Sequence, residues 1–381
     1  MGPGDTGRSH RCDGKTRCRC LTPGSLPGAR GLAGWAGGWT RDVEAGCRDR
    51  GVLHESTRTG PGTGLAGRST VGSAPMSSSI PRIRLYLGEE ASPAVRDGLE
   101  LCFYMPHPHE ALKSGVRRAL GVYLHAVGEN ALGSYLDRDG EWQPLDARGW
   151  ELTRRDLHDG VEARIHLTEE ARGDERFDFH YLGKALGHPE AFRGPDDVSA
   201  LAVSLPTEFL ETQGPGRVRS LALDMAWALP FSSGHAGLSF LGEPLASSVR
   251  DEVERLALRH PAIDVPYLDG RARTLGTRVL GPSWMTFLGP PVLTELGGAE
   301  ALRARLRSPG TLVQDLGSDR AIVTLGPAPQ AGDTEQGQTL PAYRELARVL
   351  EPWLFQTPPG PSAEQSPFIH DRRSWQRRFL D

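Results

Sequence analysis

No stretch of the 381-residue chain comes near the roughly 18 consecutive apolar residues that a membrane-spanning helix requires. That absence excludes a helical membrane span. Cysteine is scarce as well: there are five, and Cys12, Cys18, Cys20 and Cys47 all precede residue 50. None of these four belongs to a C-x2-C pair or is followed by a histidine pair at zinc-finger spacing, so they read as unordered thiols rather than as metal ligands. The fifth, Cys102, lies in the apolar run LELCFYM and reads as a buried reduced thiol. Without a disulfide framework, the composition is that of a protein from a reducing compartment, and the expected location is the cytoplasm. There is no surplus of positive charge either. The formal net charge of −4 disfavours a direct nucleic-acid binder, which presents a basic face to phosphates.

Glycine, by contrast, is abundant and unevenly placed. Residues 1–75 hold 17 of the 47 glycines, with 11 Lys and Arg against 6 Asp and Glu. The remaining 306 residues carry 33 basic and 42 acidic side chains, a local charge of −9. A basic head thus precedes an acidic body. The head shows neither helical nor strand periodicity and too few apolar residues to offset the entropy of ordering it. It reads as a disordered or non-native extension, with the working protein starting at Met76, in APMSSSIPRIRLYLG. The expected organisation is therefore an extension over 1–75, one domain over 76–355, and a Pro/Ser-rich linker with a short basic tail over 356–381.

Within the body, IRLYLG (83–88) and GLELCFYM (98–105) read as strands. A helix opens at His109–Glu110, with Leu112, Val116, Ala119, Tyr123 and Val127 at helical spacing and Gly128 as its stop. A charged helix runs to Gly160. VEARIHL alternates at period two, with Val161, Ala163, Ile165 and Leu167 on one side, and FDFHYLG and ALAVSL continue a run of strands. VRSLALDMAWAL carries an apolar stripe of Val218, Leu221, Ala222, Met225 and Leu229. HAGLSFLG reads as a strand, and SSVRDEVERLALRH as a helix capped by Ser247 or Ser248. SWMTFLG reads as a strand and TELGGAEALRARL as a helix with an internal glycine pair. Ser318-Asp319 joins TLVQDLG to RAIVTLG as a hairpin, and LPAYRELARVLEPWLF is the strongest helix. Strands in adjacent groups, without strict βαβ alternation, point to an α+β fold of mostly antiparallel sheet covered by helices. Two sheet-plus-helix lobes with a seam near 230–235 are an arrangement that this order also allows.

Catalytic signatures are sparse. No G-x-G-x-x-G follows a strand, and there is no G-x-x-x-x-G-K-[ST], H-E-x-x-H or G-x-S-x-G. His107-Pro-His109-Glu110 has the ligand types of a divalent-metal site, but a turn and helix start is the simpler reading. Ser232-Ser233-Gly234-His235 has a nucleophile and a base too close in sequence for productive geometry. Trp284, Phe287, Trp353 and Phe355 offer aromatic anchors for a partner, with core packing the commoner fate. Asp333-Thr334-Glu335-Gln336, between Gly332 and Gly337, reads as an exposed acidic turn. Contact with a basic partner through Asp333, Glu335 and Gln336 is favoured over catalysis there.

The segments LELCFYM, LPTEFLETQGPGRV, SSGHAGLSF, WMTFLGPPVLTELGG and AGDTEQGQTLPAYRELARVLEPWL follow one another in an order that resembles the TsiV-like type VI immunity family. The resemblance spans nearly all of residues 80–355 and leaves out 1–75. It implies an immunity protein that protects against VRR-Nuc nuclease effectors by binding a cognate toxin, and it supplies no catalytic residues and no cofactor. Neither direct nucleic-acid contact nor a membrane partner is expected. The alternatives are a metal-dependent hydrolase using His107, His109, Asp333 or Glu335, and a scaffold module of a secretion apparatus. If the head adds nothing to the core, residues 76–381 expressed alone should melt at the temperature of the full chain. Parallel thermal melts check this, and a loss of several degrees on truncation would contradict it.

Overall fold

The computed structural model describes residues 80–87, 93–169, 177–188, 194–356 and 372–381. The basic head, the four early cysteines, Met76 and the Pro/Ser-rich linker lie outside them. Its centre is one long strand, β2 (Val95–Met105), every residue of which is buried. Alternation divides that strand cleanly. Leu99, Leu101, Phe103 and Met105 enter the main apolar cluster, whereas Cys102 and Tyr104 enter a separate one on the opposite face. A strand buried on both faces needs cover on both sides, and this sets the architecture.

The sheet is antiparallel throughout. Besides the two-residue β1 (Arg84–Leu85), it contains β3 (Ser134–Leu136), β4 (Trp142–Pro144), β5 (Ala163–Thr168), β6 (Asp178–Gly183), β7 (Ser199–Pro206), β8 (Ser233–Gly242), β9 (Met285–Leu288), β10 (Thr311–Leu316) and β11 (Arg320–Leu325). The order is β10-β11-β9-β8-β2-β7-β6-β5-β3-β4, with β1 paired to β2 off this path. The expected α+β class is what the chain adopts. One continuous sheet replaces the two-lobe arrangement: residues 230–235 lead into β8, which pairs with the central strand from Val95↔Gly242 to Tyr104↔Ser233.

The first face is covered by α1 (His109–Val127) and by α3 (Thr207–Ala228), with α2 (Ala147–Asp159) beside β5. The stripe read from sequence in α1 is the buried one, except that Val127 is half-buried, and Gly128 closes the helix at φ 107°. In α2, Asp146 caps the N-terminus by accepting from the Arg148 and Gly149 amides, both at 2.9 Å. Gly214 (φ 77°) and Pro215 kink α3, so that the expected VRSLALDMAWAL helix is the second half of one bent element. Arg320 on β11 donates to the carbonyls of Ala226 (3.1 Å) and Leu229 (2.6 Å) at the end of α3.

The second face is covered unevenly. Over β9–β11 lie α6 (Val292–Glu295), α7 (Gly298–Arg305) and α8 (Pro341–Leu350). The glycine pair anticipated inside one helix separates two, since Gly297 and Gly298 both take positive φ. Ahead of them, α4 (Arg250–Arg259) begins after Val249, without the side-chain cap expected from Ser247 or Ser248. The short α5 (Leu268–Thr274) packs Leu268, Ala272 and Leu275 onto Cys102, Tyr104, Ala200 and Ala202. Finally α9 (Arg372–Arg377) brings the C-terminal residues back, with Trp375 and Phe379 buried in the body. Two residues of the short basic tail, Trp375 and Phe379, are thus packed against the body. Of the aromatic anchors, Trp284 and Phe287 are core residues, while Trp353 and Phe355 are half-buried.

Phe103, Phe231 and Phe287 form a ring cluster under the central strands, with Phe103 centroids 5.8 and 4.9 Å from the other two. Phe103→Ala should lower unfolding free energy by about 3–5 kcal/mol. Urea titration of the two proteins measures this, and a cost below about 1 kcal/mol would mean that the cluster does not carry the core.

Candidate functional site

The second face is where polar side chains gather. Register aligns Glu100 with Gly237 and Ser204, and Cys102 with His235 and Ala202. On the next strands Ser204 stands opposite Asp178, Ala202 opposite His180, and His180 opposite His166. Two rows therefore cross the sheet, one running His235–Cys102–Ala202–His180–His166 and the other Gly237–Glu100–Ser204–Asp178–Thr168.

Beneath α5 lies a buried ion cluster. His235 Nε2 is 3.2 Å from Glu100 Oε2 and 3.4 Å from Asp264 Oδ2. Arg271 of α5 grips Asp264 with both terminal nitrogens, at 2.9 and 3.1 Å, and donates to the Val265 carbonyl at 2.6 Å. Asp264 is held by β8 through its backbone, which donates to Leu238 (2.8 Å) and accepts from Phe240 (3.0 Å). Burial opposes the protonated form of His235, but Asp264 and Glu100 outweigh it and the pKa is raised. For Asp264, burial is likewise overcome by Arg271 and His235, and its carboxyl lies far below the usual range. Glu100, His235 and Asp264 place ligand-type atoms within 4.8 Å of one another. The bidentate Arg271 already supplies the positive charge there, so the donor set fits a built-in guanidinium better than a divalent ion.

Next to this cluster the sheet is open, and a cavity of about 450 Å³ has Ala202, Ser204, Asp178, His180 and His166 in its lining. The loop from Gly242 to Ala246 and the start of α5 (Tyr267, Leu268, Asp269) complete it. His166 and His180 stack at 4.2 Å with planes 5° apart, and His166 is 2.6 Å from Asp178 Oδ2. Burial, then His166 and Arg164, push the His180 pKa well down, so its ring is neutral at neutral pH.

The residues singled out from sequence lie elsewhere. Asp333 is not a solvated carboxylate: it is buried, accepts from Arg259 Nη2 at 2.9 Å and caps the 3-10 turn Thr334–Gln336. The glycine brackets read as an exposed turn because Arg259, on α4, is remote in sequence. Glu335 is exposed and pairs with Arg259 at 2.7 Å, and Gln336 is exposed. His109 is buried against Tyr181 OH at 2.9 Å, and His107 is exposed. Among the described residues, His107, His109, Asp333 and Glu335 form no three-ligand group. Ser233 donates to the Arg278 carbonyl (2.8 Å) and Ser232 to that of Tyr104 (3.2 Å), so neither serine is paired with His235. Sequence reading missed His166, Asp178 and His180. Period two alone puts them opposite the apolar side of their strands, but the pairing that unites them is not local.

Residues 115–379 match the TsiV family, described as type VI immunity for VRR-NUC. The chain belongs to this family. The same fold is found in the Pseudomonas aeruginosa T6SS protein PA0821, with a TM-score of 0.62 and 21% identity over 80% of this chain and 88% of that one. No curated protein matches the sequence. The TsiV match runs through Trp375 and Phe379, in keeping with their place in the core. Among the described residues, no helix of this TsiV-family chain is long and apolar enough to cross a membrane.

The ion cluster has a definite pH signature. Because the folded His235 pKa is raised, its stabilising contribution is complete below the unfolded value of about 6.5 and is lost as pH rises through the folded value. His235→Gln should therefore destabilise more at about pH 5.5 than at about pH 9. Urea midpoints at the two pH values test this, and an equal deficit at both would show that His235 is neutral in the folded state.

Proposed function

We propose that this TsiV-family chain binds a secreted nuclease effector and neutralises it by covering its active or DNA-binding site, without chemistry of its own. The observation that carries the reading is the family match over residues 115–379. The physical setting supports it. The body is acidic, with most of its acidic side chains on the helices and loops around the antiparallel sheet, whereas a nuclease is basic where it meets phosphates. Such complementarity speeds encounter and fixes orientation. The side chains that a hydrolase would need are otherwise engaged: Asp333 by Arg259, His109 by Tyr181, and Ser233 by the Arg278 carbonyl. Since a nuclease toxin does its damage where the DNA is, the proposed place of action is the cytoplasm.

The turn Thr334–Gln336 belongs to this proposal as a rim contact. Asp333 shapes it from within, while Glu335 and Gln336 face outward. Co-expression of the chain with the nuclease effector encoded beside its gene should rescue growth, and continued killing at matched expression would refute the reading. In the purified pair, Glu335→Lys should slow association and weaken its salt dependence without altering the melting temperature. Stopped-flow rates at two ionic strengths measure this.

A further inference from the structure

The cavity beside α5 has a composition that the sheet pairing alone does not require. Four carboxylates are in its lining (Glu100, Asp178, Glu243 and Asp269), and no Lys or Arg is. Its floor is low because β7 contributes only Ala202 and Ser204 between the His180 and Glu100 positions. The side chain of Glu243 is exposed at the mouth, while Glu100 is buried at depth. His180 adds an unmet demand. Its Nε2 is shut off from solvent and has no hydrogen-bond partner. The volume, about 450 Å³, is within the range of side-chain and small-ligand pockets.

We propose that this cavity receives an arginine side chain from the toxin. The proposal rests on the immunity reading above. Glu100 is already served by His235 and Arg271, Asp178 by His166 and, at 3.9 Å, Asp269 by Arg164, so the charge left open to a ligand centres on Glu243. That charge is still negative, which disfavours a phosphate or an acidic peptide and leaves cationic ligands. Among those, a guanidinium is favoured over an ammonium for three reasons. It is more weakly hydrated and so enters a partly enclosed space more readily. Its planar fork of donors can serve carboxylates at the mouth and an imidazole nitrogen at the wall together. It also stacks on flat rings, and the cavity presents the parallel His166–His180 pair and the Tyr267 ring. A divalent ion is a poorer occupant: among the described residues, the three-ligand group of His and carboxylate atoms is Glu100, His235 and Asp264, which Arg271 already serves.

The test uses the full chain and the nuclease effector encoded beside its gene, inactivated in its catalytic centre, with dissociation followed by surface plasmon resonance. Two variants address the cavity by different means. Asp178→Asn with Glu243→Gln removes charge at constant shape, and Ser204→Trp fills the floor at constant charge. Each should accelerate dissociation by about tenfold or more while the melting temperature stays within a few degrees of the unaltered chain. Should the double variant melt early, Glu243→Gln alone carries the charge arm, since that side chain is exposed. An Arg→Lys scan of the effector should then find one position at which the lysine form no longer distinguishes the unaltered chain from the charge variant. If the unaltered chain binds and all cavity variants dissociate at its rate, the arginine site is refuted and the immunity reading stands. If the unaltered chain neither binds nor protects, the immunity reading itself has failed.

Discussion

Glu100, Asp264, His235 and Arg271 must balance one another, because all four are largely withdrawn from water. An ion moved singly into a protein interior costs several kcal/mol even after relaxation, and only close partners with good geometry recover that cost. Here the partners come from different parts of the chain: β2, β8, the segment bonded along β8, and α5. A helix as short as α5 has little stability of its own. It is held over the sheet by the Arg271–Asp264 fork and by apolar contacts onto Cys102, Tyr104 and Ala202. The C-terminal residues join the same region. Arg378 donates to the Pro261 carbonyl at 2.8 Å and lies 3.7 Å over the Trp375 ring, and burial brings its pKa down to about 10, still a cation at neutral pH.

The position of α5 in turn decides what remains open. Helices cover the central strands of the first face, and on the second face α5 to α8 cover the sheet from β7 towards β11. Leu182 of β6 still joins the apolar cluster under α5, but beyond it the covering stops, and the side chains of β5 and β6 that point that way include Arg164, His166, Asp178 and His180. An uncovered sheet face with apolar side chains invites aggregation, and polar ones leave it compatible with water until a partner arrives. The balanced cluster and the open cavity are thus neighbours on one surface, with Glu100 common to both.

Much of this architecture is legible in the sequence where period and length are strong. The stripe of α1, the β10–β11 hairpin and α8 with Tyr343, Leu346, Ala347 and Leu350 appear where the spacing places them, as does the alternation of β5 at Ala163, Ile165 and Leu167, although Val161 falls before the strand and is exposed. The three-residue strands β3 and β4 and the seven-residue α5 are too short to show a period. The site was less legible, for a different reason. Asp333 has its partner in Arg259, 74 positions away, and His235 has Glu100 at a separation of 135. Local glycines announce a turn, but they do not announce the arginine that closes over it. Likewise the histidines of β5 and β6 become a row only through the register His166↔His180, which no single strand contains.

The floor of the cavity consists of Ala202 and Ser204, on a strand whose backbone is fully engaged by β2 on one side and β6 on the other. Those hydrogen bonds belong to the main chain and are indifferent to what the two side chains are. Exchanging a methyl or a hydroxymethyl for a slightly larger group would alter the depth of the recess and hardly touch the ladder beneath it. The shape of the recess and the folding of the strand are therefore separable at this point. Under the proposal of an arginine seated here, two codons of an interior strand would suffice to reshape the receptor for an altered toxin while keeping the scaffold.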